Sequence, residues 1–230
     1  MAGCRQTRSV SRERISSREV TAVPATKVDF KHTFKELYAP GHEPAIVEVP
    51  ELSFLMIDGH GDPNVAPEFG QAIEALYSVS YTLKFALKRG REQLDYKVMP
   101  LEGLWWTADM ATFSTERKSE WEWTLMIMQP DEVDERLFEE ALSQATAKKD
   151  LPAAPRLRLE RFEEGMAAQV MHVGPYDLEG PTIARLHAFI AEHGCEPAGK
   201  HHEIYLSDPR RAAPEKLKTV LRQPILSATG

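Results

Sequence analysis

Apolar residues recur along this chain with two different periods, and the alternation of the two predicts most of its elements. Over 45–60, Val47 and Val49 alternate with glutamates, and Leu52, Phe54, Leu55, Met56 and Ile57 then form a dense apolar run. That pattern predicts one strand, or two joined at Pro50, ending at the turn from Gly59 to Pro63. From Pro67 the period changes. Phe69, Ile73, Leu76, Tyr77, Leu83 and Leu87 follow at helical steps, and Lys88, Arg89 and Gly90 close the helix. Residues 95–106 and 120–130 read as two strands of an antiparallel hairpin around a polar loop at 114–119. Residues 131–149 read as a helix, acidic at its start and basic at its end as the helix dipole prefers.

After the linker at 151–155 the same order returns. Residues 156–177 carry two strands. Pro181 opens a helix whose stripe is Ile183, Leu186 and Ile190, and Gly194 ends it. Residues 201–209 and 218–224 are two further strands. The pattern predicts an α+β fold of two βαββ repeats, about 45–130 and about 155–226, joined by the helix at 131–149. Each unit has an apolar sheet face that one helix covers. Two units joining their antiparallel sheets about a pseudo-two-fold leave a central cleft between them. Ahead of this, Phe30, Phe34, Leu37 and Tyr38 anchor a lead-in from Asp29, and residues 1–28 have the composition of a disordered tail.

Composition narrows the partners. With 28 basic and 35 acidic residues the formal net charge is −7, which does not favour nucleic acid. No apolar run reaches membrane-spanning length, and residues 1–20 lack the apolar core of a secretory signal. Two cysteines, Cys4 and Cys195, suit a reducing, cytoplasmic setting and exclude a cysteine-based zinc site. Neither a cofactor nor a metal is expected, and the oligomeric state is left open.

Strand alternation singles out 201–209. His201, Glu203 and Tyr205 share one face; His202, Ile204 and Leu206 share the other, with Ile204 and Leu206 expected in the core under the repeat helix. Glu203 and Tyr205 are then expected in the cleft, where a carboxylate beside a phenol needs a partner or a job. Against this stands a surface Glu203 paired to Lys200 or Arg210. All four tryptophans (105, 106, 121 and 123) belong to the first hairpin. Trp106 and Trp123 are the preferred walls for a flat hydrophobic aromatic ligand, with Tyr176 and Tyr77 as further candidates. Glu122 and Glu102 are candidates for a second carboxylate, set against solvated positions for each. His201 and His202 point to opposite faces and lack a visible third ligand, so they make a poor metal site.

Residues 54–64 (FLMIDGHGDPN), 76–85 (LYSVSYTLKF), 100–106 (PLEGLWW), 172–177 (HVGPYD) and above all 200–225 (KHHEIYLSDPRRAAPEKLKTVLRQPI) resemble the GyrI-like small-molecule-binding family, and most of all its long stand-alone members. The resemblance runs from about Asp29 to Ile225. It implies an aromatic-lined cleft with an acidic residue for flat organic ligands. Some relatives are ligand-sensing domains of transcription activators; some stand-alone ones hydrolyse cyclopropanoid alkylating toxins. No helix-turn-helix pattern precedes the domain here. On this reading Glu203 is the general base of a hydrolase and Tyr205 orients the water or binds a substrate carbonyl. The alternatives are a non-catalytic binding or sequestering protein and, more remotely, a protein-binding gyrase inhibitor.

Overall fold

Pro50 divides the first apolar run into two strands that go separate ways. The computed structural model describes residues 26–110 and 115–228. In it β2 (Ala45–Val49) pairs with a strand of the second repeat, whereas β3 (Leu52–His60) joins the first. Proline offers no N–H to a ladder, so a break there leaves no hydrogen bond unmade. The first repeat continues with α3 (Pro67–Arg89), β5 (Leu101–Trp106) and β6 (Glu122–Gln129). The second is β8 (Gly165–Val173), α5 (Gly180–Glu192), β10 (His201–Tyr205) and β11 (Lys218–Ser227).

These strands form one sheet in the order β2-β8-β11-β10-β5-β6-β3-β7, where β7 is Arg158–Phe162. A short β9 (Cys195–Pro197) adds to the far end of β11. All of these pairings are antiparallel. Read outward from the β5–β10 pair, each repeat has the same internal order. β7 pairs with β3 just as β2 pairs with β8, so each repeat lends its leading strand to the other.

The two faces are covered differently. On the front face α3 packs over Trp123, Leu125 and Ile127, each fully buried, and Ser80 of α3 accepts from Gln129 Nε2 at 3.1 Å. Burial of each such aliphatic side chain stabilises the fold by roughly 1.5–3 kcal/mol. α5 covers a separate, smaller core of Ala168, Val170, Leu186, Ile190, Leu221 and Ile225. The two front-face cores do not merge, and polar residues of β10 and β11 lie between them. α4 (Glu135–Lys148) packs on the outside of α3; its first turn is capped by Asp134, which accepts the Leu137 N–H at 2.7 Å.

The back face is closed by the lead-in segment, folded as α1 (Phe30–Thr33) and α2 (Lys35–Tyr38). Ile204 is therefore buried beneath that segment and not beneath α5, because β10 turns its odd-numbered residues toward the helices of the repeats. Of the segment expected to be disordered, 1–25 lies outside the described residues, as do Cys4 and part of the hairpin loop. Thr26–Val28 instead forms β1, parallel to β4 (Leu94–Tyr96). Among the described residues no helix is long and apolar enough to cross a membrane.

Candidate functional site

The strip between the two front-face cores is built from β5, β10 and β11. Register and alternation put Leu101, Gly103 and Trp105 beside Tyr205, Glu203 and His201, with Thr219 of β11 opposite Tyr205. Glu203 lies opposite Gly103, where no side chain competes for space. A Cβ at Gly103 would stand 2.7 Å from Nε1 of Trp105, so glycine is what lets that indole lie across the strand.

A hydrogen-bonded chain runs along this strip. Trp105 Nε1 donates to the Tyr205 hydroxyl at 3.2 Å, and that hydroxyl donates to Glu203 Oε2 at 2.7 Å. Nε2 of His201 lies 3.4 Å from Glu203 Oε1. The Glu203 side chain keeps 15% of its surface exposed, unlike the fully enclosed carboxylates elsewhere in the sheet. Burial, and then the charge of Glu203, push the Tyr205 phenol far above its ordinary value, so it is a proton donor across the physiological range.

Two flanking elements wall the strip. From α3 come Phe69, whose ring centroid is 5.9 Å from that of Trp105, and Tyr77, which reaches the backbone of Leu101. From the turn before α5 come Tyr176, edge-on to Tyr205 at 5.6 Å, and Glu179. Glu179 is 5% exposed, and its Oε1 has no hydrogen-bond partner. Burial, and then the charge of Glu203, push its carboxyl up to about 9, while the Thr219 hydroxyl and the Lys118 charge act the other way. Burial followed by the charges of Glu179 and Glu203 pushes Tyr176 up to about 12.

The candidates read from the sequence part into two groups. Glu203, Tyr205, Tyr176 and Tyr77 come together on this strip. Trp106, Trp123 and Glu122 do not join them. Trp106 lies on the back face with the Lys200 ammonium 3.4 Å above its ring, because the register that brings Trp105 forward turns its neighbour away. Exposed Glu122 pairs with Trp106 on that same back face. Trp123 points forward but is fully buried against Phe69 and Gly59. Glu102 is neither in the cleft nor solvated: it is 1% exposed in a polar network on the back face. Its Oε1 accepts from Tyr38 at 2.7 Å and its Oε2 meets His202 Nε2 at 3.0 Å. Sequence reasoning missed Glu179 and Trp105. The register of β5 against β10 identifies Trp105, and no local signal separates Glu179 from an ordinary acidic residue at a helix start.

Two open hollows lie elsewhere on the described residues. One of about 400 Å³ is lined by Asp58, His60, Glu68, Glu122 and Arg156, and another of about 290 Å³ by Leu104, Phe162, Glu163, Glu164 and Lys200. Over the strip itself the aromatic rings are in contact, and Tyr176, 39% exposed, is its outermost ring. Among the described residues no group of three His, Cys, Asp or Glu is arranged to hold a metal ion.

Comparison with known proteins identifies the family and the fold. The model of the GyrI-like small molecule binding domain matches residues 42–226. An uncharacterized conserved protein of Listeria innocua is 43% identical, with 86% of this chain and all of that one covered and a TM-score of 0.81. A hydrolase of Listeria innocua is 42% identical over 86% of this chain and all of its own, with a TM-score of 0.77. The C-terminal domain of EcmrR, 11% identical over 80% of this chain and 98% of its own at a TM-score of 0.50, shares the fold alone. No protein of curated function was matched.

Proposed function

This chain belongs to the GyrI-like small-molecule-binding family, and on that premise we propose that it takes flat hydrophobic molecules into the strip around Glu203 and hydrolyses strained, cyclopropanoid xenobiotics there. The observation that carries the reading is the Trp105–Tyr205–Glu203 chain. It aims a carboxylate, held by a protonated phenol, at the gap between two separately cored repeats. In this scheme Glu203 takes a proton from water as the oxygen attacks an electrophilic ring carbon, and Tyr205 fixes the carboxylate and steadies the water. Trp105 and Tyr176 stack on the ligand. Tyr176 must swing aside to admit it, since it caps Tyr205. The similarity to a Listeria hydrolase supports turnover. The reading takes the protein as cytoplasmic, with a small molecule and not a nucleic acid or membrane as its partner, in keeping with a net charge of −7.

Glu203→Gln tests it. Ligand affinity followed by tryptophan quenching should persist, while turnover of a cyclopropane-bearing alkylator falls by roughly 10²–10⁴, the range of general base catalysis. A variant as fast as the wild type would refute the role. A non-catalytic binding protein is the second reading. It is favoured by the fact that both oxygens of Glu203 already have neighbours, Tyr205 on one and His201 on the other. That reading predicts stoichiometric quenching and no product from the wild type.

A further inference from the structure

We propose that Glu179 is the proton donor of this site, presenting a protonated carboxyl to an acceptor oxygen of the bound molecule, so that the preferred ligands are flat compounds carrying a carbonyl. The proposal rests on the binding strip described above and extends it with a residue from the opposite wall.

The geometry argues for it in three steps. Glu179 is nine-tenths buried, yet Oε1 has no partner, which is costly for a buried carboxylate and far less so for a neutral acid. It belongs to the turn that also carries Tyr176, the ring packed on Tyr205, so it flanks the strip and not the α5 core. Of its neighbours, Glu203 on β10 acts on it through negative charge, and Tyr205 and Tyr176 are phenols held above their ordinary values. His201 lies beside Glu203 on the same face, Lys118, from the loop before β6, is the cation that acts on Glu179, and Thr219 on β11 is neutral. Two carboxyls in one desolvated strip divide their roles: one keeps a proton and the other gives it up. The raised pKa of Glu179 agrees with this division.

The step balances. Water forms the new C–O bond and loses its proton to Glu203. The cyclopropane C–C bond at the attacked carbon breaks, and its electron pair passes through the conjugated system to the carbonyl oxygen, which takes the proton of Glu179. A single proton transfer from Glu203 to Glu179, direct or through water, restores the starting state.

The test compares 9-fluorenone with fluorene, which differ by one carbonyl, by tryptophan quenching in wild type, Glu179→Gln and Glu179→Ala. The wild type should prefer the ketone by about tenfold, the worth of one protein hydrogen bond. Glu179→Ala should erase that preference. Glu179→Gln, isosteric and still a donor, should keep it. Above pH 9 the wild type should lose the preference and Glu179→Gln should not. Equal affinity of the wild type for both compounds, or no measurable binding of either, overturns the proposal. So does an undiminished preference in Glu179→Ala. Should that variant fail to fold, the contrast in pH dependence between wild type and Glu179→Gln decides. A wild type that prefers the ketone but never turns over an electrophile refutes hydrolysis while leaving the donor role standing.

Discussion

Glu164→Gln probes the back-face network on which β10 rests. Glu164 sits between β7 and β8, and its side chain is 1% exposed. It binds His202 Nδ1 through Oε1 at 3.0 Å and accepts from Arg222 Nη1 through Oε2 at 3.0 Å. Arg222 also donates through Nε to Gln169 at 3.0 Å and through Nη2 to the Leu37 carbonyl at 2.9 Å. Burial disfavours the imidazolium of His202, but the Glu164 charge and the hydrogen bonds it donates to Glu102 and Glu164 outweigh it and hold the group at about 9. Burial likewise works against the Glu164 carboxylate, and His202 and Arg222 outweigh it to bring it down to about 2. The raised pKa of His202 contributes stability that is fully present below 6.5 and lost as pH rises toward 9; it is worth about 3 kcal/mol. The lowered pKa of Glu164 contributes stability that is present above 4.5 and lost as pH falls toward 2. Stability from this network should therefore plateau between 4.5 and 6.5. Removing one carboxylate leaves Arg222 and His202 facing Glu102 alone, and breaking a buried pair costs about 3–5 kcal/mol. At about 2–4 °C per kcal/mol for a domain of this size, the melting temperature at pH 6 should fall by roughly 6–20 °C. The loss of stability between pH 6.5 and 9 should also flatten, because the main influence raising His202 is gone. Far-UV circular dichroism melts at pH 5.5, 7.5 and 9 measure both. A melting temperature within about 2 °C of wild type, or an unchanged pH slope, would refute the assignment.

Two further changes separate site from scaffold. In Gly103→Ala the new Cβ meets the Trp105 indole, which is wedged against Phe69 and Trp121 and is no flexible chain end. Overpacking of this kind costs about 1–3 kcal/mol, and the Trp105–Tyr205 bond should break, read as a shifted tryptophan emission and weakened ligand quenching. Asp134→Ala removes the N-cap of α4 on the far side of α3, so urea denaturation should show a loss of about 1 kcal/mol with ligand affinity unaltered.

What the order of residues determined by itself was the main strands and helices and the order in which they follow one another. The change from a two-residue to a helical period at Pro67, its return in the hairpin, and its repetition after residue 155 are local properties that need no partner. Alternation along 201–205 also sufficed to separate Glu203 and Tyr205 from His202 and Ile204. Tertiary structure alone decided what each face meets. Alternation cannot tell which side a helix will cover, so the lead-in segment and not α5 closes over Ile204. The register between β5 and β10, set by strands a hundred residues apart, brought Trp105 forward in place of Trp106 and buried Glu102 beside His202. The same long-range packing buried Glu179 near Glu203, where burial and the neighbouring charge raise its pKa. That consequence depends on distance through space and has no trace in the spacing along the chain.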